Sequence, residues 1–541
     1  MATPFMIRFF HSKPWLAFSI LMAAAFPIHG QEILYSFEGV GANDGFGISV
    51  AGAGDVNGDG FDDFIIGSPF AAGVVLDSGV ARVYSGLDGS LLYEFSGAAG
   101  GDQFGASVSG AGDVNLDGFD DVIVGAPGYS FGAFQGRARV LSGFDGSTLH
   151  VVTGSRYGDF FGFSVSGAGD ADADGFSDFV VGAYNAEDLG YPVGTATLFS
   201  GATGAVRYVS PGVDFYDGYG YSVGGVGDMD QDGFDDLIVG APFDDDNGSE
   251  SGSVQVISGF DGQSIYFIRG PTAGEMFGYS VDGAGDVNGD GTPDFIIGAP
   301  EDAQGGHNAG SARVISGADG ALLYTFLGNA PGSYLGWSVA GAGDVNGDGF
   351  DDLITGAPKN SINGILSGKA VVYSGQNGSI LYAYDGRSTG DWFGRSVHSA
   401  GDLNGDGYAD LILGAAQLLT GGPSNQGYAE IYAGGPPPSL VLSVPHLVRA
   451  QSATLEVSGA TPLGTIYFGF TYQGYGATFV PQLNLMLSLN QPELLAARPA
   501  DAAGSVTLTG QVPWHAGAPL PVWFQAAEAG RASNWIRREI E

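Results

Sequence analysis

Cysteine is absent from the 541-residue chain. Its absence excludes disulfide staples, thiolate metal sites, catalytic thiols and lipid-modified cysteines. Basic residues are scarce: 18 Lys and Arg stand against 59 Asp and Glu, a formal net charge of −41. Such a surface repels phosphate backbones, which excludes nucleic acid as a partner. Charged residues of both signs make up only 14% of the chain. After residue 30 no segment is long and apolar enough to span a bilayer. The seven histidines (His11, His29, His150, His307, His398, His446 and His515) show no metal-ligand spacing.

Glycine is abundant, at 96 residues. No strict Gly-X-Y period accompanies it, so the chain is not collagen-like. A hydrophobic content of 44%, with 12% aromatics, supplies enough apolar surface for a large core and argues against wholesale disorder. Residues 1–30 read as a secretory signal: Arg8, His11 and Lys13 precede the apolar run Trp15–Phe26, and Pro27–Gly30 offers a cleavage site. A membrane anchor is the alternative reading. The mature chain is expected to be secreted, at the cell surface or periplasmic.

Self-comparison shows one unit written seven times. Asp55, Asp113, Asp170, Asp228, Asp286, Asp344 and Asp402 open near-identical nonapeptides, spaced 57 or 58 residues apart. Each is preceded by an aromatic-Gly pair such as Phe46-Gly47, Phe104-Gly105 or Tyr219-Gly220; Leu335-Gly336 is the exception. Each is followed by Gly-Ala-Pro or a variant, among them Gly67-Ser68-Pro69, Gly182-Ala183-Tyr184 and Gly414-Ala415-Ala416. Every unit has runs of strand length. In the first unit these are Phe46–Gly54, Phe64–Gly67, Val80–Ser85 and Leu91–Phe95, with an Asp88-Gly89 turn between the last two. Seven such units predict an all-β protein, with a seven-bladed β-propeller over residues 31–435. The seventh unit stops before its fourth strand. Ile33–Phe37 is predicted to supply that strand beside Tyr428–Ala433 and so close the ring.

The nonapeptide reads Asp-x-(Asn/Asp)-x-Asp-Gly-x-x-Asp in all seven copies. Its candidate metal ligands are Asp55, Asn57, Asp59 and Asp63; Asp113, Asn115, Asp117 and Asp121; Asp170, Asp172, Asp174 and Asp178; Asp228, Asp230, Asp232 and Asp236; Asp286, Asn288, Asp290 and Asp294; Asp344, Asn346, Asp348 and Asp352; Asp402, Asn404, Asp406 and Asp410. Oxygen donors at positions 1, 3 and 5, with Gly at 6, suit a hard cation such as Ca²⁺, up to seven in all. The residue at position 7 would lend its carbonyl, and position 9 a closing carboxylate. Position 12 is Ile66, Val124 and their equivalents inside the second strand, never Glu, so these are not EF-hands. An Asp/Asn/Gly-rich turn without metal is the alternative for any single copy.

These motifs resemble the FG-GAP repeat family, which includes the N-terminal propeller of integrin α subunits. The resemblance covers about residues 32–435. It implies calcium-stabilised blades, with partners bound on the face opposite the metal loops. Some integrin blades lack the calcium loop, whereas all seven copies keep it here. Leu335, Tyr184 and Ala416 depart from the pattern at packing or turn positions.

Strand alternation puts the metal loops and the Asp-Gly turns on one face. The second connections, which differ in every unit, fall on the other face together with the fourth connections. Constant loops on one face and individual loops on the other suit a binding scaffold. Tyr129, Phe131, Phe134, Tyr191, Phe243 and Trp392 are candidate aromatic contacts there, or else packed loop residues. Catalytic signals are poor. Gly220-Tyr221-Ser222-Val223-Gly224 matches a hydrolase elbow, but Ser222 is the repeat equivalent of Ser49 and Ser107. No catalytic residue and no organic cofactor are assigned. The function expected is a non-enzymatic adhesion or recognition scaffold for a protein or glycan. An extracellular polysaccharide-acting enzyme and a structural envelope protein are the alternatives.

At residues 436–439 a Pro-rich linker ends the repeats. Residues 437–541 hold six acids and five bases, against 53 and 11 in residues 31–436. Runs such as Ala453–Val457, Thr465–Tyr472 and Pro521–Ala526 predict a small β-sandwich-like domain over residues 440–541, or a cap on the propeller's flank.

Overall fold

The computed structural model describes residues 32–128, 135–188, 190–417 and 426–435, and beyond 435 only the backbone of strands. The expected signal sequence and Pro-rich linker lie outside the described residues, as do Tyr129, Phe131 and Phe134. Among the described residues the structure is all-β.

Seven four-stranded antiparallel sheets form a seven-bladed β-propeller. Blade one is Val50–Gly54, Asp63–Ser68, Val80–Tyr84 and Leu91–Ser96, in that order from the centre outward. First strands of neighbouring blades lie side by side around the central channel. The second strands are buried along their whole length, which is why they read as unbroken apolar runs such as Phe64-Ile65-Ile66. Apolar clusters fill the spaces between blades: Ala51, Ile65 and Val83 of blade one meet Val108, Val122 and Leu141 of blade two. Blade three carries an extra hairpin, Glu187–Asp188 with Tyr191–Pro192, in its second connection.

The ring closes as the sequence predicts. Ile33–Glu38 pairs antiparallel with Tyr428–Tyr432, with Ile33 opposite Tyr432 and Glu38 opposite Tyr428, and completes blade seven. Phe37 sits 4.5 Å from Tyr84 and 5.7 Å from Phe64, ring to ring, so the first strand in sequence also packs on blade one.

One expectation needs adjusting. The Phe46–Gly54 run is a strand only from Val50. Gly47 has φ +79°, and its N–H donates to Gly67 O at 3.1 Å. The aromatic-Gly pair therefore makes a turn that plugs into the Gly-Ala-Pro segment. Gly67 also lies against the next blade: a Cβ there would come within 2.1 Å of Gly105 O. The two motifs recur together because their backbones meet within and between blades.

A second set of bonds ties the blades on the outside. A residue of each fourth strand reaches the third connection of the next blade. Tyr35 donates to Gly86 O at 2.9 Å, and Tyr93 to Gly143 O, Tyr208 to Ser258 O, Tyr266 to Gly317 O and Tyr324 to Gly375 O, each at 2.8 Å. His150 Nε2 takes this place against Gly201 O at 2.6 Å, and Tyr382 reaches Gly435 O. All seven junctions are bridged.

Beyond the propeller, Val441–Ser443, Ser452–Ser458 and Val506–Gln511 form one sheet. Glu493–Pro499, Thr465–Thr471, Leu520–Glu528, Arg531–Ala532 and Ile536–Ile540 form another, and Tyr475–Val480 pairs with Leu485–Leu489. The side chains of residues 436–541, and with them the sandwich packing expected there, lie outside the described residues.

Candidate functional site

Each nonapeptide links the first and second strands of its blade. The position-1 carboxylate organises the loop around itself. Asp55 Oδ1 accepts the N–H groups of Gly58 and Asp59 at 2.7 and 3.0 Å, and Oδ2 that of Gly60 at 2.9 Å. Asp113, Asp170, Asp228, Asp286, Asp344 and Asp402 likewise accept the position-5 and position-6 N–H groups of their loops, and Asp344 that of Gly347 as well. Gly60 has φ +90°, and its six equivalents lie between +86° and +92°. No atom comes within 4 Å of a Cβ built at any of them. The turn's handedness, not crowding, demands glycine there.

The position-9 aspartates, Asp63, Asp121, Asp178, Asp236, Asp294, Asp352 and Asp410, are fully buried. Asp63 Oδ2 accepts Val56 N–H at 3.0 Å, and Oδ1 accepts Gly86 N–H at 2.9 Å. This residue therefore brackets the metal loop to the third connection, which places both on one face as expected. Burial, with neighbouring loop acids adding, pushes Asp63, Asp121, Asp178, Asp236 and Asp410 up to about 7. Asp294 goes to about 6 and Asp352 to about 8, while the backbone donors pull the other way.

The residues present fit a hard cation. Carboxylate oxygens of Asp170, Asp172 and Asp174 lie within 4.8 Å of one another, as do those of Asp228, Asp230 and Asp236. In blade three Asp178 Oδ2 is buried without a hydrogen-bond partner. Arg207 partly offsets that loop's extra acid through a 2.8 Å pair with Asp172.

Position 8 carries a role that inspection of the loops had not assigned. Asp120 Oδ2 accepts the N–H of Asp55, in the preceding blade, at 2.9 Å. Asp235 does so for Asp170, Asp351 for Asp286, and Asp62 for Asp402 across the ring closure. The signal available in the sequence was the Asp-Asp doublet, present in four units and replaced by Ser177, Pro293 and Ala409 in the others.

The opposite face is different in kind. A cavity of about 500 Å³ opens at the channel mouth, within the range of small-ligand pockets. The residue two places after each aromatic or Leu335 (Ile48, Ala106, Phe163, Tyr221, Tyr279, Trp337 and Arg395) contributes to its lining. Blades three to six thus supply a connected aromatic arc, with Phe163–Tyr221, Tyr221–Tyr279 and Tyr279–Trp337 centroids 4.8, 5.0 and 4.9 Å apart. Beneath it lie the repeat serines. Ser49 Oγ accepts Val108 N–H at 3.0 Å, and Ser107, Ser164, Ser280, Ser338 and Ser396 likewise accept from the adjoining inner strand. Ser222 instead donates to Gly278 O at 2.9 Å, which makes it a structural member of this ring. Deeper still, Asp282 Oδ2 and His398 Nε2 approach to 3.8 Å. Burial raises the Asp282 carboxyl to about 6, with His398 pulling it down.

The aromatic candidates named from the sequence divide. Phe243 packs edge-on against Tyr221 at 5.5 Å, and Trp392 stands 6.2 Å from Trp337, so both belong to the mouth. Tyr191, on the blade-three hairpin, packs at a tilt against Phe215, apart from the cavity lining. Phe163, Tyr221, Tyr279, Trp337 and Arg395 were missed. Their signal was a repeat position that changes identity while its neighbours stay constant.

A closed propeller with one acidic loop per blade on one face and a non-repeating aromatic mouth on the other defines the class of protein. Comparison with known proteins agrees. The FG-GAP repeat family matches residues 46–84, 104–141, 219–257, 277–315, 335–378 and 393–432. Blade three is not among the matches, although its four strands pair like the rest. Integrin alpha-5 of Xenopus laevis is 30% identical over 279 residues, 48% of this chain and 25% of the relative. Integrin alpha-V of Gallus gallus is 34% identical over 218 residues, 36% and 20% respectively. Integrin alpha-IIb of Homo sapiens is 32% identical over 206 residues, 35% and 19%. The chain thus spans about a quarter or less of the length of these relatives. It is an FG-GAP repeat protein whose propeller resembles that of integrin α chains.

Proposed function

We propose that this protein is an extracellular recognition scaffold whose blades are braced by calcium and whose variable face takes a protein or glycan ligand. The observation that carries the reading is the contrast between the two faces. Seven near-identical oxygen-rich loops lie on one, and a mouth whose lining differs from blade to blade lies on the other. Repeated loops suit a common ion; individual ones suit a specific partner. The 28 loop residues named above would hold the cations, with the position-9 carboxylates deprotonated on binding. The similarity to chains named integrin supports adhesion or recognition over catalysis. Among the described residues no helix is long and apolar enough to cross a membrane. Residues 1–30 serve as the export signal, and residues 440–541 form a separate β domain after the linker.

Metal analysis of protein purified in calcium, with melting in chelator, tests the first half. Protein without bound metal, whose melting chelator does not change, would defeat it. An array of glycans and matrix proteins, read with and without calcium, tests the second. No ligand on such an array would count against recognition.

A further inference from the structure

We propose that the blade-six and blade-seven side of the mouth binds an acidic polysaccharide, its sugar rings laid on Trp337 and Trp392 and its carboxylate held by Lys359 and Arg395. This rests on the recognition reading above and names the ligand class.

The chain has 18 basic residues among 541, yet two converge on one aromatic wall. Lys359 Nζ lies 3.6 Å from the Tyr334 ring centroid, 4.9 Å from Trp337 and 5.8 Å from Trp392. Arg395 Cζ lies 5.5 Å from Trp337 and 6.0 Å from Trp392. Among the described residues no carboxylate pairs with Lys359. Aromatic faces partly desolvate a cation without neutralising it, which strengthens a later pairing with an anion. Glu301 lies close enough to act on Tyr279 in the same wall. Two of the 18 basic residues thus stand together here, in a molecule whose overall excess is strongly the other way. At physiological salt charges beyond about 8 Å are largely screened, so this local grouping decides which ion is accepted.

Flat rings and hydroxyls suit a sugar better than a peptide. The Trp392 indole N–H is buried behind this wall without a hydrogen-bond partner. The Ser338 hydroxyl in the cavity wall already accepts a backbone N–H and keeps its own proton for donation. Lys359 also borders a second cavity of about 480 Å³, while Trp337 lines the first of about 500 Å³. Arg395 lines the first cavity and Lys359 the second, which fits a chain with a regularly placed charge.

The test is calorimetry on the full chain, calcium-loaded and freed of excess metal, in 0.15 M salt. The probes are a hyaluronan hexasaccharide, a hexagalacturonate, the methyl esters of both, and an oligoglutamate. The acidic sugars are expected to bind. The esters and Lys359→Met or Arg395→Gln are each expected to weaken binding at least about tenfold, the loss of one charge pair. Lys359→Arg is expected to retain binding and so show that the fold survives. Arg156→Gln, remote from the mouth lining, is expected to change nothing. Equal binding of acid and ester, no acidic sugar bound at millimolar concentration, or equal affinity for oligoglutamate would each overturn the proposal. A neutral glycan or a protein bound with Lys359→Met unimpaired would overturn it too, yet leave the recognition reading standing.

Discussion

Phe37→Ala probes the closure of the ring. Phe37 belongs to the strand that enters blade seven from the other end of the chain, and its ring packs at a tilt against Tyr84 and Phe64 of blade one. Truncating a fully buried Phe costs about 3–5 kcal/mol. Phe37 is only half-buried, so about 2 kcal/mol is expected. Phe267 is a control on the fourth strand of blade four: it is 41% exposed and lies under Arg269 alone in ring contact. Its replacement by Ala should stay within about 0.5 kcal/mol. Urea unfolding in calcium measures both, and a fall in midpoint at constant slope reports stability directly. Limited proteolysis should show the Phe37→Ala chain cut first near residues 32–40. Equal midpoints for the two variants, with the N-terminal strand uncut, would refute the idea that this strand holds the ring shut.

Further outcomes follow from the loops. Chelation should lower the melting temperature, and calcium should restore it in proportion to metal bound. In metal-free protein the buried position-9 carboxyls lie near 7, against an ordinary 3.8. The folded state then holds more protons than the unfolded one between about pH 4 and 7, so these groups make stability fall as pH rises through that window; melting in chelator at pH 5 and 7.5 checks the sign. Calcium's stabilisation should grow over the same window, because binding must displace those protons. Asp120→Ala removes the carboxylate that receives Asp55 N–H from the neighbouring blade, and a loss of about 1–2 kcal/mol is expected by urea unfolding. Leu116 sits at φ +57° and is 53% exposed, where four other units have glycine. Leu116→Gly should therefore gain about 0.5–1 kcal/mol, and a loss would show that its packing outweighs the backbone strain.

What could be read in advance was whatever lies within one repeat. The spacing of Asp55 from Asp113 announces the blades, the Asp88-Gly89 turn announces the outer hairpin, and the missing strand after Tyr428 announces the role of Ile33. What could not be read were contacts that exist only once the repeats form a circle. Asp120 is an ordinary loop acid until blade two lies beside Asp55. Tyr93 is an ordinary strand residue until Gly143 is brought under its hydroxyl. Tyr279 and Trp337 are 58 positions apart and become neighbours only at the channel mouth. Of the loop aromatics expected on this face, Phe243 and Trp392 reach the mouth. The decisive ones project instead from the short turn before each inner strand.

The paired strands of blade seven also determine how the ring responds to force. The segment entering at Glu32 and the segment leaving at Ala433 lie at the same end of the pair, joined by Ala433 N–H to Glu32 O at 2.9 Å. A load applied between these flanks would not shear the pair along its length. It would peel the ladder one bond at a time, beginning with that contact, the weaker way to load two strands. A tether drawn from both flanks would thus open the propeller at low force. A pull between the mouth and a single flank would be shared among blades through the seven outer Tyr and His bridges. Tension across the two flanks is therefore expected to open the propeller more readily than tension between its face and one flank.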